Sequence, residues 1–302
     1  MKADRQRPFL DPGVIARLSR LSVCARGLVE GSFSGRHKSP HRGSSVEFSQ
    51  YRKYVPGDDI STVDWRAYAR SDRFYVKEFE ADTNLRCCLV LDTSGSMNFG
   101  SAGLTKIQYA RRLCGTLGYL AGQQGDAVGI SCVANGIVRS LPPRRSPAHL
   151  RMVLDILEEA EPQGETRLPE VLHELAETIR QRALVVIVSD LFVDPAALGS
   201  SFSHLRFRHH DIAVFHLLDP QEVAFNFSRP TRFLDMEGGS AIFADPSDIA
   251  DRYHTALSGY LTAIKQVVLE SGIDYQRAMT DESYEQVLAR FLVGRAAGKG
   301  LR

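Results

Sequence analysis

The chain has 302 residues, 43% of them hydrophobic and 24% charged, with a formal net charge of +1. These values describe an ordinary globular protein with room for one large domain or two modest ones, and they exclude a fibrous or disordered chain. Residues 1–83 hold 15 Lys+Arg against 11 Asp+Glu and the remainder 22 against 25, a mildly basic front that suits an acidic partner surface more than nucleic acid, which calls for a strongly basic face interleaved with aromatics.

At the front, Val14, Leu18, Leu21, Ala25 and Leu28 form the apolar stripe of a short amphipathic helix, expected to dock on the chain's own α/β sheet. Arg17, Arg20 and Arg26 interrupt the stretch from Val14 to Val29, and the longest apolar run is Ala183 to Val188. Neither a membrane span nor a signal peptide is expected, and the chain reads as cytoplasmic. "EGSFSGRHKSPHRGSS" (30–45) reads as a flexible loop, with His37 and His41 exposed. The segment from 39 to 83 is too short and polar to build a core of its own, so it is expected to pack as an extension on the α/β domain behind it. Its charges of both signs, set around the only tryptophan, Trp65, predict a structural ion-pair network. The domain reading is therefore 1–83 as a helix and charged segment and 84–302 as the main domain.

From residue 84 strands and helices alternate. "LRCCLVLD" (85–92) is the near-continuous apolar run of a strand buried on both faces, and Ile107, Ala110, Cys114, Leu117 and Ala121 line one side of a helix over 105–121. A strand over 126–134, an Asn135-Gly136 turn and a return strand from Ile137 to Leu141 come next, then a helix from about Pro147 to Glu159. Leu168, Leu172, Leu175 and Ile179 mark the next helix, "ALVVIVSD" (183–190) a strand, 195–206 a helix, 211–219 a strand, 231–238 a last strand and 245–270 a long helix. This order predicts a doubly wound, mostly parallel sheet with helices on both faces. The five cysteines, Cys24, Cys87, Cys88, Cys114 and Cys132, have no C-x-x-C spacing and fall mostly inside apolar patterns, as core residues do. His209 and His210 fall in a connecting loop.

In such a sheet ligands collect beyond the carboxyl ends of the strands. Asp92, Ser94 and Ser96 follow the first central strand in "LVLDTSGSMN", Thr166 lies in "GETRLPEVL" before a helix, and Asp190 ends "ALVVIVSD". Each has a bland reading as a turn or helix cap. Together they put two carboxylates and three hydroxyls above one sheet edge, an all-oxygen set that suits a hard cation such as Mg2+, with Mn2+ or Ca2+ compatible with the same oxygens. If the neutral hydroxyls bind directly and the aspartates through waters, the ion keeps much of its charge and takes a carboxylate from a partner protein.

The same five residues resemble the metal-ion-dependent adhesion site of von Willebrand factor A domains, and "KIQYARRLCGTLGYLAGQQGDAVGI" (106–130) is similar to a helix and strand of that fold. Leu191 stands where adhesion-type domains often have glycine, which makes the backbone there less permissive. Residues 39–80, with Arg42-Gly43, Glu47-Phe48, Tyr54 to Asp59, Asp64-Trp65, Ala69-Arg70 and Val76 to Glu80, resemble the signature block of the bacterial domain of unknown function 58 family, and residues 272–292 its tail. The resemblance implies a non-enzymatic adaptor or co-chaperone that links a MoxR-type AAA+ ATPase to a client protein. The competing expectation is a metal-dependent phosphatase or other hydrolase, against which Ser94 stands where a second aspartate belongs and no lysine lies in the loops at Thr166 or Asp190. Asp190 is read as lying at a wet strand end, so its replacement by alanine is expected to cost about 1 kcal/mol of stability.

Overall fold

The computed structural model describes residues 7–21, 23, 46–53, 65, 68, 70, 74–81, 85–101 and 103–296, the side chains of 46–53 and 75–81 excepted. The loop expected over 30–45 and most of the charged network around Trp65 lie outside them, as does Cys24. The chain divides into two units, residues 26–84 and residues 1–25 with 85–302.

In the smaller unit, β1 (Val46–Lys53) and β2 (Tyr75–Ala81) pair antiparallel from Val46 opposite Ala81 to Lys53 opposite Tyr75, with an irregularity between Phe48 and Gln50. The segment read as an irregular extension thus contains one regular ladder. Tyr68 stacks on Phe74 at 4.3 Å between ring centres, and Trp65 stands edge-on to both.

The larger unit opens with α1 (Pro12–Leu18), capped by Asp11 Oδ1, which accepts from the Gly13 and Val14 N–H groups, and started by a proline whose missing N–H is not needed there. Its elements then run β3 (Arg86–Asp92), a 3-10 turn (Gly95–Asn98), α2 (Lys106–Gln123), β4 (Ala127–Val133), β5 (Ile137–Arg144), α3 (Pro147–Glu159), α4 (Leu168–Thr178), β6 (Leu184–Ser189), α5 (Pro195–Phe207), β7 (Asp211–Leu218), α6 (Pro220–Ala224), β8 (Thr231–Phe233), β9 (Ile242–Ala244), α7 (Pro246–Ser271), β10 (Asp274–Met279) and α8 (Tyr284–Ala296). Six strands form one sheet in the order β10-β7-β6-β3-β4-β5, parallel throughout except for β5.

Period-two alternation in β3 feeds two cores. Cys87, Leu89 and Leu91 enter one with Leu113, Leu117 and Phe291, whereas Cys88 and Val90 enter the other with Leu172, Phe202 and Ile264. Val14 and Leu18 of α1 join the first core against α2 and α8, so the front helix docks on helices of the unit, and Arg17 clamps Glu285 with two bonds of 2.5 and 2.7 Å. The four described cysteines are buried and unbridged.

One expected strand is corrected. Of residues 231–238 only β8 is extended, and it pairs antiparallel with β9 in a sheet of its own; the sixth strand of the main sheet is β10, parallel to β7. The turn-forming Asp235 and Gly238 break the run after Phe233, while the polar edge sequence "DYQRAM" conceals a strand whose burial alternates. From β3 the chain goes to β4 on one side and returns to β6 on the other, so the topological switch lies between β3 and β6. The carboxyl ends of those strands carry Asp92 and Asp190.

Candidate functional site

Asp92 ends β3 with 1% exposure and both oxygens engaged: Oδ1 accepts the Ser94 N–H at 2.9 Å, and Oδ2 accepts the Ser189 hydroxyl at 2.6 Å from the neighbouring β6. Burial, then the charge of Asp190, raises its pKa to about 6, against the lowering pull of the Ser189 and Ser94 hydrogen bonds. Ser94 precedes the 3-10 turn but its side chain caps nothing; its hydroxyl shares a 3.1 Å hydrogen bond with that of Ser96.

Backbone bonds bring in the Thr166 loop. The Gln163 N–H donates to Thr93 O at 2.9 Å, the Gly95 N–H to Gly164 O at 2.8 Å, and the Arg167 N–H to Ala134 O at 2.9 Å. Gly164 has φ +74°, which favours glycine. The residue ahead of α4 in the cap position is Arg167, with no side-chain cap, so Thr166 does not cap the helix; its Oγ1 is buried with no hydrogen-bond partner.

Asp190 is fully buried, and α5 is capped by Asp194 instead. This corrects the wet strand end expected from sequence. Asp190 Oδ2 accepts from Lys106 Nζ at 2.6 Å, and Oδ1 has no partner. The next residue, Leu191, has φ 55° with its side chain wholly buried, so the position that often carries glycine holds a leucine in the left-handed region.

Sequence reasoning missed Lys106. It comes from the first turn of α2, is 0% exposed, and donates a second bond of 2.6 Å to Glu222 Oε1 in α6, with the Phe192 ring 5.2 Å away. Burial alone would lower its pKa, but the charges of Asp190 and Glu222 more than offset that and raise it; Glu222 is raised by burial against the pull of Lys106. A signal was legible. Lys106 falls on the buried stripe with Ala110, Leu113 and Leu117, and a lysine at a helix start opposes the dipole unless a carboxylate waits there. His216, late in β7, is likewise buried, bonded through Nδ1 to Tyr275 OH at 2.8 Å, and burial lowers its pKa to about 4.

A turn after β8 covers the mouth of the crevice. The Thr166 N–H donates to Glu237 Oε2 at 3.3 Å, and a Cβ on Gly95 would lie 2.0 Å from Met236 O. Between this turn and the strand ends lies a cleft of about 370 Å³ lined by Ser96, Phe99, Phe192, Glu222 and residues 234–237.

Among the described residues no group of three or more His, Cys, Asp or Glu side chains is arranged to hold a metal. The set here is two carboxylates and three hydroxyls. Two of its oxygens, Thr166 Oγ1 and Asp190 Oδ1, are buried without protein partners, and oxygens of this kind are the donors that a hard cation takes.

The family model described as "Protein of unknown function DUF58" matches residues 50–258, and the chain belongs to that family. The tail resemblance at 272–292 falls beyond the matched residues. The chain is 26% identical over 295 residues to uncharacterized proteins of Mycobacterium tuberculosis and Mycobacterium bovis, which covers 95% of it and 92% of each of them. Among solved structures it is similar to the conserved hypothetical protein BatB from Bacteroides thetaiotaomicron, with TM-score 0.48, 15% identity, and coverage of 71% of this chain and 100% of that one. It is also similar to the SpRpn10 VWA domain, with TM-score 0.41, 10% identity, and coverage of 72% and 98%. No helix of the described residues is long and apolar enough to cross a membrane.

Proposed function

We propose that the chain is a non-enzymatic interaction module whose crevice binds Mg2+, with Mn2+ or Ca2+ as alternatives, and uses the ion to grip a carboxylate of a partner protein. The observation that supports this reading is the pair of buried, unpartnered oxygens, Thr166 Oγ1 and Asp190 Oδ1, one on a loop bonded through its backbone to Thr93 and Gly95 and the other directly after β6 at the switch point. Ser94, Ser96 and Thr166 would supply neutral ligands, so a bound ion keeps charge for an incoming anion. Lys106 deepens that bias, because its ammonium already balances one of the carboxylates. Family resemblance supplies the partners: a MoxR-type AAA+ ATPase and a client protein, which would put the work in the cytoplasm.

Lys106 is the observation that favours the phosphatase alternative, since a lysine does reach Asp190. Its ammonium is fully buried and committed to two carboxylates, Asp92 has both oxygens engaged, and His216 is held neutral, so none is poised to attack or protonate a phosphate ester. The test is retention of a MoxR-type AAA+ ATPase, or of a client, on immobilised protein with Mg2+, with EDTA, and with Asp92→Asn. Loss in both of the latter is expected; equal retention in all three would remove the metal from the interaction, and phosphomonoester turnover that dies with Asp92→Asn would reverse the choice of reading.

A further inference from the structure

The chain holds a carboxylate of its own at the mouth of this crevice. Glu237 Oε2 accepts the N–H of Thr166, the residue whose hydroxyl is buried and unpartnered. Two contacts seat the turn that carries it: the Glu237 N–H donates to Asp235 Oδ1 at 2.8 Å, and Met236 O lies directly over Gly95. Glu237 lines the same cleft as Ser96. A neutral acceptor would serve the Thr166 N–H equally well. Glu237 adds its carboxylate to a cleft that Glu222 and Asp235 also line, and gathered negative charge favours a divalent cation there. Asp190, fully buried, gives a second, independent sign: Lys106 satisfies its Oδ2 and leaves Oδ1 without a partner.

We propose that Glu237 is an internal carboxylate ligand of the cation, occupying the coordination position that a partner's carboxylate would otherwise take. This rests on the metal reading above and adds a consequence to it. A small hard cation accepts few oxygens, so an external carboxylate must displace Glu237 and lift the 234–239 turn from Gly95 before it binds. The turn then sets the threshold for partner binding, and only a carboxylate presented with further contacts overcomes it.

The conservative variant Glu237→Gln separates ligation from anchoring, because its amide oxygen still accepts the Thr166 N–H while the charge is lost. The EDTA-stripped full chain is titrated calorimetrically with Mn2+, with and without acetate, as wild type, Glu237→Gln and Asp92→Asn, alongside metal-free thermal unfolding. Wild type is expected to bind Mn2+ and Asp92→Asn to lose it. Glu237→Gln should bind about tenfold more weakly with an unchanged metal-free unfolding midpoint, and acetate should recover its affinity while leaving the wild type unaffected. Equal Mn2+ affinity and equal acetate response in wild type and Glu237→Gln would overturn the assignment and leave the metal site standing. So would a lowered metal-free midpoint in Glu237→Gln without an acetate effect, which would make Glu237 an anchor of the turn. Failure of the wild type to bind Mn2+, or binding unaltered in Asp92→Asn, would overturn the metal reading and this proposal with it.

Discussion

Replacing Asp190 with alanine should destabilise the fold far more than the 1 kcal/mol expected of a solvent-exposed cap. Asp190 and Lys106 are both 0% exposed and 2.6 Å apart, so the substitution leaves a buried ammonium with only Glu222, itself 15% exposed, to balance it. Breaking a buried ion pair by removing one partner costs about 3–5 kcal/mol, and the surviving Glu222 bond places this case near 3 kcal/mol. That is a large share of the roughly 5–15 kcal/mol by which folded domains are stable. The assay is urea unfolding in EDTA of wild type, Asp190→Ala, Lys106→Met and the double variant. Each single change strands buried charge, whereas the double removes the pair, so its loss should fall short of the summed singles by about 2 kcal/mol. A loss below 1 kcal/mol in Asp190→Ala, or simple additivity in the double, would refute the claim that Lys106 depends on Asp190.

The geometry sets three further outcomes. Asp92 titrates near 6 in the folded chain against an ordinary 3.8, so the folded state holds its proton more tightly; the stability this contributes is complete below about pH 4 and lost as pH rises through 6, and Asp92→Asn should flatten urea midpoints measured across that window. Gly95→Ala would drive a Cβ into Met236 O, and displacement of the 234–239 turn should cost about 1–3 kcal/mol and speed amide hydrogen exchange in that turn; unchanged exchange would contradict the contact. Leu191→Gly relieves a left-handed leucine, a gain of roughly 1–2 kcal/mol, but deletes a wholly buried side chain worth about 2–5 kcal/mol, so a net loss in chemical denaturation is expected and a net gain would show the strain to be larger than the burial.

Much of the fold is readable from local pattern. Strands β3, β4 and β6 announce themselves as apolar runs because both their faces are covered, and α3 runs from Pro147 to Glu159 as expected, with Ser146 capping it and a proline in its first turn. The edge is where pattern fails: β10 alternates in burial and reads as polar, and Asp235 and Gly238 end β8 early. At the site, Asp92, Ser94, Ser96 and Asp190 are legible because they end or directly follow recognisable strands. Lys106 shows only as a charge on a buried helical stripe, with nothing local to name its partners, and Ser189 is lost at the end of an apolar run.

The amino-acid sequence by itself determined the buried central strands and most of the helices, that the sheet is mostly parallel, and which oxygen donors end or follow its strands, since each of these depends on patterns spanning only a few residues. Only the tertiary structure decided what those donors touch. Lys106 meets Asp190 across 84 residues and Glu222 across 116, Ser189 meets Asp92 across 97, and Glu237 meets Thr166 across 71. A charge or a hydroxyl carries no periodic signal that names its distant partner; the pairing depends on which strand ends the chain crossovers bring side by side, and there the exclusion of water makes every unmatched charge expensive.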